Sequence, residues 1–258
     1  MFMQHNVKSL SDFTIGATDG EIGKVKDFYF DDQTWIIRYL VVKTGGWLSG
    51  RKVLLSPLAL QRPDWENKVF SVNLNKQQVQ DSPDIDTEKT VSRQHEIELY
   101  NHYAWPYYGA TGTGFYGGMG MSGMVDSRIP FEDAIAEQHL ENYEGDPHLR
   151  STEEIRGYHI HARDGKIGEV EDFILNTDTW GIDYLIVDTG NWFPGKKVIL
   201  SPEWIKQVKW EDTAVYVDLP VDAVKHSPEY NAEVPLQTAY REKLHHYYGK
   251  SIRDHQIL

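Results

Sequence analysis

The chain repeats itself. Shifted by 145 residues, the stretch 15–83 lies over 160–228 without a gap, and about 31 of the 69 positions are identical. Asp19-Gly20-Glu21-Ile22-Gly23-Lys24-Val25-Lys26-Asp27-Phe28 falls on Asp164-Gly165-Lys166-Ile167-Gly168-Glu169-Val170-Glu171-Asp172-Phe173. Tyr39-Leu40-Val41-Val42 falls on Tyr184-Leu185-Ile186-Val187, and Lys52-Val53-Leu54-Leu55-Ser56-Pro57 on Lys197-Val198-Ile199-Leu200-Ser201-Pro202. Such a match marks a duplicated domain, not a solenoid, whose repeats are about 20 to 50 residues long. Whatever folds once must fold twice, so each repeat needs a fold small enough for about 70 residues.

Each repeat reads as β. Asp19-Gly20 and Asp164-Gly165 are two-residue hairpin signals between apolar residues. Residues 36–43 are apolar and β-branched, with Ile37, Tyr39 and Val41 on one face and Arg38 on the other. Short strands are expected at 52–55 and 68–73, with another near 58–62. Asn75 and Pro220 open short helical turns that stop before Ser82-Pro83 and Ser227-Pro228. Several short strands in so few residues suggest a small barrel, whose closure would remove exposed sheet edges.

The Asp-Gly-x-Ile-Gly-x-Val-x-Asp-Phe opening, the Tyr-Leu-Val-Val strand and the Lys-x-Val-x-Leu-Ser-Pro segment resemble the PRC-barrel family. That family includes the cytoplasmic domain of the photosynthetic reaction-centre H subunit and the C-terminal domain of the bacterial ribosome maturation factor. The resemblance covers both repeats, a little over half of the chain. It implies a mainly β protein of two tandem PRC-type barrels with short helices. In both relatives the barrel is a docking surface in a larger assembly, which implies a non-enzymatic, protein-binding scaffold. Three other readings stand: a reaction-centre-associated, H-subunit-like protein of the light reactions; a ribosome-assembly adaptor; and a small-ligand carrier or enzyme.

The repeats divide the chain into a first barrel at 1–84, a helical, Gly-rich, acidic connector at 85–150, a second barrel at 151–230 and a helical tail at 231–258. Residues 87–103 and the matching 236–248 have helical spacing, and 130–140 is a further short helix. The net charge of -13 is unevenly spread. Residues 84–159 hold 14 acidic and 5 basic side chains, the first repeat is near neutral, and the chain from residue 160 carries about -5. This balance argues against a phosphate backbone as the main partner, so no nucleic acid is expected. Without cysteine there are no disulfides, Cys-bound metals or thiol chemistry. The start has no basic region followed by an apolar run, and no stretch reaches about 18 consecutive apolar residues. A cytoplasmic protein without a membrane anchor is the expectation.

The motifs of enzyme chemistry fail on inspection. Gly112-Thr113-Gly114-Phe115-Tyr116-Gly117 has the spacing of a dinucleotide loop but no strand before it and no helix after it. His95-Glu96-Ile97-Glu98-Leu99 carries leucine where a zinc helix needs its second histidine. His159, His161, His245 and His246 lack further ligands at fixed spacing. Asp27 and Asp172 hold equivalent places in the two repeats, and a duplicated carboxylate fits a structural bond to backbone N–H groups better than acid–base work. No catalytic, metal-binding or cofactor-binding residue is assigned, and no cofactor is expected.

The interaction candidates are two loops. Trp47, Arg51 and Lys52 in the first repeat, and Trp192, Phe193, Lys196 and Lys197 in the second, combine large apolar side chains with cations. The tryptophans either contact a partner or plug a barrel end. Lys24, Lys26, Arg38 and Lys43 correspond to Glu169, Glu171, Asp183 and Asp188, so four bases of one repeat are acids in the other. If the repeats, or two copies in a homodimer, face one another, these positions meet complementary charges. The expected partner is a protein of unknown identity.

Overall fold

The computed structural model describes residues 4–83, 99, 102–103, 148–190, 196–232 and 236–249. The Gly-rich run, the 130–140 helix, the His95-Glu96 segment, Trp192 and Phe193 lie outside the described residues. The first repeat comprises β1 (Gln4–Asn6), α1 (Val7–Leu10), β2 (Thr14–Ala17), β3 (Gly20–Asp31), β4 (Ile37–Thr44), β5 (Lys52–Leu55), β6 (Val69–Ser71) and α2 (Lys76–Gln80). The second comprises β7 (Leu149–Ser151), α3 (Thr152–Ile155), β8 (His159–Ala162), β9 (Gly165–Asn176), β10 (Gly181–Asp188), β11 (Lys197–Leu200), β12 (Ile205–Lys209), β13 (Ala214–Val217) and α4 (Val221–Lys225), followed by α5 (Thr238–Tyr247).

The protein is mainly β, with one sheet per repeat. Strands run β5-β4-β3-β2-β6 in one and β11-β10-β9-β8-β13-β12 in the other. β2 and β6 pair in parallel, as do β8 and β13. The pairs β2–β3, β4–β5, β8–β9, β9–β10 and β10–β11 are antiparallel. Among the described residues these hydrogen-bond paths are open, where the sequence suggested closure. After β5 and β11 the chain turns through Ser-Pro into 3-10 turns at Pro57–Ala59 and Pro202–Trp204, and proline supplies no ladder N–H. The β11 edge is met instead by the Tyr230 N–H, which donates to Lys197 O.

The hairpin turns sit one residue earlier than Asp-Gly implies. Ala17 pairs with Gly20 and Ala162 with Gly165, so the loops are Thr18-Asp19 and Arg163-Asp164. Their carboxylates reach across to the next helix. Asp19 accepts from the Lys76 N–H at 2.9 Å and Asp164 from the Val221 N–H at 2.7 Å. Each thereby satisfies an orphan donor at the start of α2 or α4. The second motif glycine is required by close approach. A Cβ on Gly23 would lie 2.1 Å from Lys43 O, and one on Gly168 would lie 2.0 Å from Asp188 O.

The cores are built from the inward residues of the long strands. Ile22, Val25, Phe28 and Phe30 are buried on β3, and Ile167, Val170, Phe173 and Leu175 on β9. Burial of each such side chain contributes about 1.5–3 kcal/mol. β4 is buried on both faces, and Arg38, only 3% exposed, meets Asp31 at 3.6 Å. Each repeat also docks a helical segment through equivalent positions. Leu99 and Tyr103 are buried; at the matching positions Leu244 is buried and Tyr248 half-buried. His102 Nε2 donates to Gln78 O at 2.6 Å, and Tyr247 donates from the equivalent position to Ala223 O at 2.8 Å.

The chain forms two compact units that cut across its linear order. One holds residues 1–12, 27–38 and 150–258; the other holds 13–26 and 39–149. Inside the first unit the reason is visible: the repeats exchange arms. β1 of the first repeat pairs with β9 of the second, with Gln4 opposite Asn176 and Asn6 opposite Ile174. β7 of the second repeat pairs with β3 of the first. The buried residues Val7 and Leu10 of α1, and Thr152 and Ile155 of α3, anchor the two arms. The corners after β3 and β9 are reciprocal as well: Ile37 N–H donates to Trp180 O at 2.8 Å, and Ile182 N–H donates to Trp35 O at 2.7 Å.

Candidate functional site

The most developed polar constellation fastens these arms. Asp27, 7% exposed, accepts from Ser151 Oγ at 2.6 Å, Thr152 Oγ1 at 2.8 Å, the Glu153 N–H at 3.0 Å and the Phe28 N–H at 2.7 Å. Its counterpart Asp172, 4% exposed, accepts from the Lys8 N–H at 3.2 and 3.3 Å and from the Phe173 N–H. Lys8 and Glu153 are equivalent positions, so each carboxylate caps the arm helix of the other repeat. Burial pushes both carboxyls above their ordinary range, against the opposing pull of these hydrogen bonds. The first cap is the better satisfied, because Ser151 and Thr152 offer hydroxyls where the other arm has Asn6 and Val7.

Several of the loop cations are also structural. Arg51 donates to the carbonyls of Gln80, Ser82 and Pro83, at the C-terminal end of α2. Lys196, at the equivalent position, donates to Lys225 O at 2.6 Å, at the end of α4. Cations at these termini complement the orphan carbonyls and the helix dipole. Lys197 pairs with Glu171 at 2.6 Å. The histidine pair on β8 is divided: His159 faces Glu169 at 3.3 Å, while His161 packs on Tyr216 with ring centroids 5.2 Å apart.

What remains on the surface of the first repeat is a compact aromatic and basic face. Trp47 sits in the 3-10 turn Gly46–Leu48, between β4 and β5, and is 37% exposed. Its indole N–H donates to Ile22 O at 2.8 Å, which fixes the ring, and Lys76 Nζ lies 5.6 Å from the ring centroid. Lys43 and Lys52, at the strand ends flanking that turn, are direct partners in the β4–β5 ladder, and both are exposed. Lys24 is exposed and Lys26 half-buried on neighbouring β3. In the second repeat, Glu169 opposes Asp188 and Asp188 opposes Lys197. Asp188 accepts from the Gly190 N–H at 2.7 Å, and Asp183 accepts from Gln4 of the exchanged arm. Lys76 was missed in the sequence because its counterpart is Val221 and it lies outside the loop motif; only the fold brings it over Trp47.

The sequence profile of the PRC-barrel domain matches residues 7–78 and 149–224, together more than half of the chain. The chain belongs to the PRC-barrel family. The two matched segments are the two sheet-forming repeats, so this is a tandem PRC-barrel protein. A Deinococcus radiodurans protein described only as uncharacterized is 38% identical over 69 residues, covering 26% of this chain and 24% of that protein. The similarity thus spans about a quarter of each, roughly one PRC barrel. Among the described residues, no helix is long and apolar enough to cross a membrane.

Proposed function

We propose that this tandem PRC-barrel protein is a non-enzymatic scaffold that docks other proteins through the Trp47 face of its first barrel. The observation that carries the reading is a tryptophan held partly exposed by its own N–H bond, with Lys43, Lys52 and Lys76 around it. A fixed aromatic ring loses little conformational freedom on binding, and tryptophan is enriched at binding hot spots. The surrounding cations select an acidic partner surface and steer its approach. The buried carboxylates support the reading from the other side, since their hydrogen bonds hold the arms. Duplication adds further support: the interior contacts are kept in both repeats, while the charge of this face differs.

Capture from the native host with the full chain as bait, followed by cross-linking mass spectrometry, tests the proposal. Cross-links at Lys43, Lys52 or Lys76 to one partner, lost in Trp47→Ala, are expected. Equal capture by Trp47→Ala, or no stable partner, would overturn the Trp47 face as the docking site. Small-ribosomal-subunit precursors in the captured material would assign the scaffold to ribosome assembly. A membrane photosynthetic complex would assign it to the light reactions.

A further inference from the structure

The contacts between the repeats run in both directions. The α1 arm of the first repeat is held by Asp172 of the second, and the α3 arm of the second by Asp27 of the first. The corner carbonyls are exchanged as well: Trp35 O accepts from the Ile182 N–H and Trp180 O from the Ile37 N–H. Phe30 of one repeat packs on Phe173 of the other, with ring centroids 5.8 Å apart. All of these residues lie in one compact unit, made of 1–12, 27–38 and 150–258. Two equivalent halves thus close on one another by reciprocal contacts, which is the pattern of a symmetric dimer built into one chain.

The covalent link between the halves is long. Residues 104–147 join them after the buried Tyr103, and these 44 residues reach about 150 Å when fully extended. A link of that length lets the first repeat of one copy close on the second repeat of another. The bonds formed are then the same, residue for residue, as those formed within one chain. The two closures differ chiefly in the entropy of the link, which amounts to an effective concentration on the order of 1 mM.

We propose that the chain forms a domain-swapped dimer, in which the first repeat of each copy interlocks with the second repeat of the other. The partner at each interface is a second copy of this chain. Separating the halves means withdrawing the buried Val7 and Leu10 of one arm and Thr152 and Ile155 of the other, and undoing both carboxylate caps. Folded chains therefore exchange slowly, and the closure is chosen as the chain folds. The swap goes beyond the docking reading and does not rest on it. A swapped dimer carries two Trp47 faces in one particle and would hold a multivalent partner by avidity.

Light and isotopically heavy full chains, each with a protease site within 104–147, test the swap. They are mixed one to one in urea and refolded together at about 1 µM and at about 300 µM, which bracket the range in which swapping becomes appreciable. Both samples are brought to the lower concentration, cut, and read by native mass spectrometry. Cutting a swapped dimer leaves particles whose two fragments come from different copies, so a heavy first repeat is found with a light second repeat. About a tenth of the particles should be mixed after refolding at the higher concentration, at least about tenfold more than at the lower. Incubating the folded chains together at the higher concentration, in urea below the unfolding midpoint, should reach the same share without complete unfolding. An equal share of mixed particles at both concentrations overturns the swap, as does a dimer that yields only same-label particles. Trp47→Ala should give the wild-type share of mixed particles while losing partner capture, so the swap and the docking reading fail separately.

Discussion

The two buried carboxylates offer a comparison inside one molecule. Replacing Asp27 with alanine strands the Glu153 and Phe28 N–H groups and the buried Thr152 hydroxyl, while Ser151 keeps its bond to the Glu154 N–H and its hydroxyl can turn. Each buried donor left without a partner costs about 1–3 kcal/mol. Three such donors give about 3–9 kcal/mol, and relief of a carboxylate held against burial returns part of this, leaving a net loss of about 2–5 kcal/mol. Asp172→Ala strands the Lys8 N–H, whose bonds are long at 3.2 and 3.3 Å, and the Phe173 N–H, so about 1–2 kcal/mol is expected. Urea unfolding followed by tryptophan fluorescence measures both. Hydrogen exchange across 149–157 should rise in Asp27→Ala, and across 4–12 in Asp172→Ala. An Asp172→Ala cost equal to or above that of Asp27→Ala would refute the reasoning, as would exchange that stays unchanged in both arms.

Further expectations follow from the same geometry. Gly23→Ala and Gly168→Ala drive a Cβ into the backbone of Lys43 and Asp188 and should cost at least about 2–3 kcal/mol, whereas Gly46→Ala meets nothing within 4 Å and should stay within about 0.5 kcal/mol by thermal melting. Asp27 and Asp172 have folded-state pKa values above their unfolded values, so between those values the native state binds more protons than the unfolded state. Their contribution to stability is therefore greatest once they are protonated and is lost as pH rises through the raised folded pKa. Against Asp27→Asn, the wild type should lose relative stability on going from acid towards neutral pH; a gain in that direction would contradict the assignment. Arg51→Ala should loosen the end of α2 by about 1–2 kcal/mol, read as faster hydrogen exchange at 76–83. Trp47→Ala removes a ring that is 37% exposed and anchored on Ile22 O, so it should lower stability by about 1–3 kcal/mol on melting while the chain stays folded, and should weaken partner binding by about 30-fold or more.

The sheets, the helical turns after Asn75 and Pro220 and the duplication were legible because inward-facing residues and turn formers are what the repeats share. The arms were not. Across 4–12 and 149–157 no position is identical. What the arms have in common is a backbone N–H aimed at a carboxylate and two buried side chains, and hydrogen bonds from backbone leave no residue signature. Trp35 and Trp180 hold equivalent positions in the two repeats, but no residue pattern says that each carbonyl accepts from the other repeat. Of the loop candidates, Trp47 and Lys52 stay on the surface, while Arg51 and Lys196 are drawn to helix ends because those carbonyls need donors. The charge reversal was readable position by position; which of those side chains oppose one another across strands required the register.

The two PRC-barrel repeats interlock by exchanging arms, so that neither is complete alone. A protease site placed within 104–147 and cut in the folded protein tests this most directly, with native mass spectrometry of the product at low micromolar concentration. Interlocked repeats should give a one-to-one complex of the two fragments that survives dilution and separates more readily in Asp27→Ala. Fragments that part on cleavage while each stays folded would contradict the exchange.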